Sequence, residues 1–192
     1  MKAISLVLAS ASPYRAELLR RLQIPFETWS PAIGEAPLPA ESCAETARRL
    51  AREKAQAAAN RFPGALVIGS DQVAELDGQA IGKPGSREGA RQQLRTMRER
   101  KVVFHTALCL LAGDRVHEAL VPTEVTFRSL TDDEIEHYLD REPAFDCAGS
   151  AKSEGLGIAL LSRLRGDDPT ALVGLPLIAL AGMLRAEGVA VP

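Results

Sequence analysis

Apolar residues along the chain fall into two patterns, short unbroken runs and longer stretches in which they recur every three to four positions. The runs at 6–9 and 65–69 ("ALVIG") are rich in branched residues and bounded by turn formers, which predicts strands buried on both faces. Between them, Ser12 with Pro13 behind it predicts a capped helix to about residue 22. A short strand is expected at 26–29, followed by the irregular, proline-bearing stretch "SPAIGEAPLPAES" that contains Glu35. Ser42 and Glu45 form a capping box that opens an alanine-rich helix with Lys54 in its middle, stopping before Pro63 and Gly64.

The second half reads differently. Asp77 and Gly78 mark a tight hairpin, and "IGKPGS" leads into a polar helix from about 87 to 98. Two long extended runs, 101–111 and 115–127, join at Gly113 and Asp114 as an antiparallel pair. Thr131 with Glu134 caps another helix. The glycine-rich segment "DCAGSAKSEGLG" is followed by an expected apolar strand at 158–161, and "LVGLPLIALAGMLRAEG" reads as an apolar terminal helix. Helices alternating with strands before a hairpin argue for an α/β fold built on a mixed sheet, and 192 residues suit a single domain spanning 1–192.

Composition narrows the function classes. Net charge is −2 and the basic residues are dispersed, so the footprint of a protein that binds long nucleic acid is missing. The opening "MKAISLVLAS" is too short an apolar run for a signal-peptide core or a membrane span, which predicts a cytoplasmic protein. Cys43, Cys109 and Cys147 are far apart and have no histidine at metal-ligand spacing, so they are expected to be small buried hydrophobes.

Three stretches carry candidate chemistry. In "SASPYR" a helix N-terminus is flanked by Ser10, Ser12 and Arg15, donors suited to phosphate oxygens. In "GSDQV" Asp71 stands where a buried strand is expected to end, as a candidate metal ligand or general base. The chain has 18 arginines and five lysines, and three of those five are at distinctive positions. Lys54 is on the alanine-rich helix, Lys83 in the "GKP" turn and Lys152 in the glycine-rich loop, where a compact ammonium could reach a phosphate. With Glu35 and Asp71 to hold a hard divalent cation, these groups suggest a phosphoryl or nucleotidyl site.

The same stretches resemble the Maf family of nucleotide pyrophosphatases: "LASASPYRAELL", Glu35 after the loop, "AREKA", "IGSDQV", "GKP", "CAGSAKSEG" and "LVGLPL". Within that family the chain is similar to the subgroup that acts on 7-methyl-GTP. The resemblance implies two lobes around a central cleft, dependence on Mg²⁺ or Mn²⁺, a small nucleotide substrate and a homodimer. It implies Asp71 as proton acceptor, Arg15, Glu35, Lys54 and Lys83 in binding or catalysis, and Tyr14, Gln72 and Glu154 as specificity positions. Tyr14 would stack on a cationic methylated purine, and Glu154 would accept from the guanine edge. Two features depart from the family pattern: Gly34 takes the position before Glu35 where a second carboxylate is frequent, and residue 14 is tyrosine where tryptophan is expected. Two rival readings stay open, a pyrophosphatase for dTTP, UTP or another canonical nucleotide, and a nucleotide-binding regulator of cell division without turnover.

Overall fold

A computed structural model describes residues 5–191, so Lys2 lies outside the described residues. In chain order the elements are β1 (Leu6–Leu8), α1 (Pro13–Arg20), β2 (Glu27–Thr28), α2 (Cys43–Arg61), β3 (Leu66–Leu76), β4 (Gln79–Ile81), α3 (Arg87–Met97), β5 (Lys101–Ala112), β6 (Arg115–Phe127), α4 (Asp132–Arg141), β7 (Leu161–Gly166) and α5 (Leu177–Ala186). They form a mixed sheet in the order β2-β1-β3-β5-β6-β7, with β4 hydrogen-bonded to β3. β2, β1 and β3 run parallel, and every later pairing is antiparallel. Among the described residues no helix is long and apolar enough to cross a membrane.

The long strands are the reason for two lobes. A strand rises about 3.3 Å per residue, so the eleven residues of β3 outrun any single small core. Its first half alternates between two cores, Leu66 and Ile68 facing α1 and α5 while Val67 faces α2. Its far end, Ala74 and Leu76, packs with Leu94, Phe104, Phe127, Ile135 and Tyr138 in a third core. Between the two ends lies a gap in the sheet. β1 pairs with β3 as far as Ile68 and β4 pairs with β3 from Ala74 onward, while β5 covers the other edge throughout. The middle of β3 therefore has one open edge, and a cleft forms along it.

Close packing sets what faces that cleft. A Cβ on Gly69 would come within 2.1 Å of the Ala51 carbonyl oxygen, so glycine here lets α2 press directly onto β3. Ala47, Ala51, Ala55 and Ala58 supply the thin helix face that completes the contact.

Several expected boundaries differ. α1 stops at Arg20 rather than near 22, and the strand expected at 26–29 contracts to the two exposed residues of β2. Residues 158–161 are not an apolar strand: Leu156–Leu160 is a 3-10 turn with Ile158 exposed, and the strand that follows is Leu161–Gly166. β7 pairs with β6 alone, so it never needs the unbroken apolar run that marks a doubly covered strand. The terminal helix begins only at Leu177, because Gly174 takes φ +117 and Pro176 forms the N-cap. Finally, Asp71 lies within β3 and not at its end, since pairing with β5 carries the strand on to Leu76. Cys43 and Cys109 are buried as expected, whereas Cys147 is only partly buried.

Candidate active site

A cleft of about 590 Å³ opens at the gap in the sheet, and every site residue singled out from the sequence lines it except Lys152 and Glu154. Its first wall is the start of α1. The Ser12 hydroxyl accepts from the Arg15 amide at 3.3 Å as N-cap, and Pro13 occupies a position where no amide proton is needed. Ser10 turns its hydroxyl inward, accepting from the Ser12 amide at 3.1 Å and from Arg15 Nη1 at 3.4 Å. The Arg15 Nε donates to the Gly174 carbonyl at 2.9 Å. Burial pulls the Arg15 pKa down from its ordinary value, with the charges of Asp71 and Glu35 opposing that shift. Arginine stays protonated regardless, so a cation is held beside a helix N-terminus.

Ser70, which the sequence reading passed over, ties this wall to the sheet. Fully buried, its hydroxyl lies 2.8 Å from the Ala107 carbonyl and 2.9 Å from the Gly174 carbonyl, the same oxygen that Arg15 uses. Asp168, also missed, fixes the segment carrying Gly174. One of its oxygens accepts from the Thr170 amide and hydroxyl and the other from the Ile178 amide. Ser70 has no sequence signature because it acts on backbone carbonyls of distant segments, whereas Asp168 braces a local turn through Thr170 and Ile178.

The floor is a charged trio. Lys54, 7 % exposed on the face of α2 pressed against β3, donates to Asp71 Oδ1 at 2.6 Å. Its ammonium is also 2.6 Å from Glu35 Oε1, which reaches in from the loop before α2. A hydrogen bond from Lys54 holds the Glu35 carboxyl below the usual carboxylate range; burial opposes this, and the charges of Lys54, Lys83 and Arg15 add to it. Lys83, exposed after β4, completes a set of three cations against two carboxylates.

Among the described residues no group of three or more His, Cys, Asp or Glu could hold a metal ion unaided. Mg²⁺ needs only one or two carboxylates, since water and substrate phosphates complete its shell. Glu35 and Asp71 supply hard oxygens, and both are already drawn to one cation, the Lys54 ammonium. The donor set fits a metal carried with a nucleotide rather than a cage made by protein alone.

The far wall joins the loop after α4 to Tyr14 on α1 and Gln72 on β3. The Tyr14 hydroxyl donates to Asp146 Oδ2 at 2.8 Å, and the Lys152 ammonium lies 3.2 Å from Asp146 Oδ1 and 5.3 Å from the Tyr14 ring centroid. Burial pushes the neighbouring Cys147 thiol up to about 11, with the Asp146 charge adding, so it is no ready nucleophile. Gln72 lines the cleft, but its amide nitrogen is committed to Thr106 and to the carbonyls of Ala171 and Leu172 at 2.9–3.0 Å. Only its carbonyl oxygen is left for a ligand. Glu154 is exposed outside the lining, and its charge is felt at the Cys147 thiol.

The Maf-like protein family matches residues 5–187. The chain belongs to the Maf-like family. Among its Maf-like relatives, a protein of Cupriavidus pinatubonensis named 7-methyl-GTP pyrophosphatase is 61 % identical over 185 residues, covering 95 % of this chain and 93 % of that one. A protein of Aromatoleum aromaticum with the same name is 58 % identical over 194 residues, covering all of both chains. A third Maf-like relative so named, from Ralstonia nicotianae, is 60 % identical over 94 % of each chain.

Proposed function

We propose that the protein is a nucleotide pyrophosphatase that hydrolyses 7-methyl-GTP to 7-methyl-GMP and pyrophosphate, limiting incorporation of modified nucleotides into nucleic acids. The observation that carries this reading is the convergence of Glu35 and Asp71 on Lys54 in the same cleft as Arg15 and the start of α1. The relatives' shared name supports the substrate.

The triphosphate lies against the N-terminus of α1, where Ser10, Ser12 and Arg15 donate to phosphate oxygens and Lys83 and Lys54 spread the charge of the leaving pyrophosphate. Water attacks the α-phosphorus as the α–β anhydride bond breaks. Asp71 orients that water and takes its proton, or shares the metal with Glu35. Glu35 and Asp71 are the residues that would hold Mg²⁺ or Mn²⁺, which when bound supplies neutralisation of phosphate charge. Tyr14 offers a ring face to a cationic purine, Gln72 its remaining carbonyl oxygen, and Glu154 acceptor oxygens for the guanine edge as the base settles. The reading carries with it a single-domain, cytoplasmic protein that forms a homodimer.

Pyrophosphate release from a nucleotide panel with Mg²⁺ or Mn²⁺ tests it. The highest kcat/KM is expected for 7-methyl-GTP. A higher value for dTTP, UTP or GTP would replace the substrate, and no release from any nucleotide would leave a binding protein.

A further inference from the structure

The base end of the cleft contains a cluster for which triphosphate chemistry has no use. Tyr14 and Asp146 both line the cleft, the tyrosine hydroxyl bonded to the carboxylate at 2.8 Å. Lys152 completes the group, 3.2 Å from that carboxylate and 5.3 Å from the ring centroid. A carboxylate facing a site for a triphosphate is unfavourable unless it has a cationic partner. Here the partner is a lysine from the same loop, held against an aromatic ring. Partial burial opposes both charges, yet Asp146 is held below and Lys152 above its ordinary pKa by their hydrogen bonds with Tyr14 and each other. The ring and carboxylate thus already hold one cation between them.

We propose that Asp146 is a specificity-determining residue, the counter-charge for a purine ring that carries a positive charge and binds against Tyr14, with Lys152 filling that electrostatic role when the cleft is empty. This rests on the reading of 7-methyl-GTP as substrate and names what in this chain recognises the methyl group's charge. A neutral purine gains stacking on Tyr14 and nothing from Asp146, which stays paired with Lys152. A cationic purine shares the carboxylate as well, and methylation is read as charge rather than as shape.

The test compares 7-methyl-GMP with GMP in calorimetric binding, and 7-methyl-GTP with GTP in kcat/KM, for the wild type, Asp146→Asn and Lys152→Gln. Asp146→Asn keeps an oxygen for Tyr14 and is expected to lower the preference for the methylated nucleotide about three- to tenfold, chiefly in KM and in product affinity. Lys152→Gln removes the competing cation and should raise that preference. A wild-type preference retained in Asp146→Asn, or an equal loss for both nucleotides, would overturn the inference and leave the substrate reading intact. If the wild type itself binds 7-methyl-GMP no better than GMP, both fall together. Melting temperatures of the variants distinguish a folding defect from altered recognition.

Discussion

The two ends of the cleft are built on different material. At the phosphate end, Lys54 sits on a helix packed against a strand so closely that Gly69 can carry no side chain, and Asp71 lies inside that strand. At the base end, Tyr14 and Gln72 reach in from α1 and β3, but Asp146, Lys152 and Glu154 ride on the loop between α4 and β7. Regular elements in tight contact hold groups to the tolerance that bond-making chemistry needs. A loop anchored at a few points can change which base is read without disturbing the reaction. A fixed chemistry with adjustable specificity is what this division of labour allows.

If the phosphate end is the rigid chemical half, the largest effects should come from it. Asp71→Asn is expected to lower pyrophosphate release about 10²–10⁴-fold while nucleotide still binds in calorimetry; near-normal turnover would remove Asp71 from both its proposed roles. Lys54→Met comes next, leaving a buried Asp71 without its partner. The expected loss is about 2–3 kcal/mol in denaturant unfolding, less than a fully enclosed pair because Glu35 is mostly exposed. Its pH dependence has a definite sign. The folded Glu35 pKa is depressed, so the stabilisation is present above the ordinary value of 4.5 and is lost as pH falls through the lower folded value. In Lys54→Met the Glu35 titration, followed by NMR, should move upward.

Gly69→Ala attacks the same half through packing alone. Its Cβ would meet the Ala51 oxygen and force α2 away from β3, at a cost of about 1–3 kcal/mol and a melting temperature lower by several degrees. Because Lys54 moves with α2, kcat should fall as well. A stable, fully active Gly69→Ala protein would mean that the close contact does not position the site.

How much of this was legible in the sequence follows the same division. Capping boxes at Ser42 and Thr131, the Asp77–Gly78 turn and the antiparallel pair are local devices, and they read directly from residue order. The charged trio was legible as residue types, since a lysine on an alanine-rich helix and an aspartate in an apolar run are each unusual. Its geometry was not, because Glu35 and Asp71 meet Lys54 only through tertiary packing. β7 was misread because an edge strand has no need of the apolar run used to find strands. Ser70 was missed because it acts on the backbone carbonyl of a distant segment, and Asp168 because its bonds to Thr170 and Ile178 look like those of any turn aspartate until the fold brings Gly174 to Arg15. Gln72 was identified, but its amide's commitment to the carbonyls of Ala171 and Leu172 depends on a turn about a hundred residues away.

The smallest expected effect tests the other half of the comparison. Glu154 matches a specificity position in the family pattern, yet it is exposed and lies outside the cleft lining, beside Gly155, whose Cα faces the Glu142 carboxylate. In Glu154→Gln one acceptor oxygen is exchanged for an amide, which weakens pairing with the guanine edge without changing shape. Since the loop must bring the side chain to the base, ordering it offsets part of what the contact contributes. The expected fall in preference for guanine over adenine nucleotides is therefore about two- to fivefold, with melting temperature and kcat on the preferred substrate little altered. An unchanged ranking across the panel would mean that Glu154 does not read the base. A loss of 50-fold or more would instead mean that this loop is held as firmly as the lysine and carboxylates beneath it, and the contrast between a rigid chemical end and an adjustable base end would no longer stand.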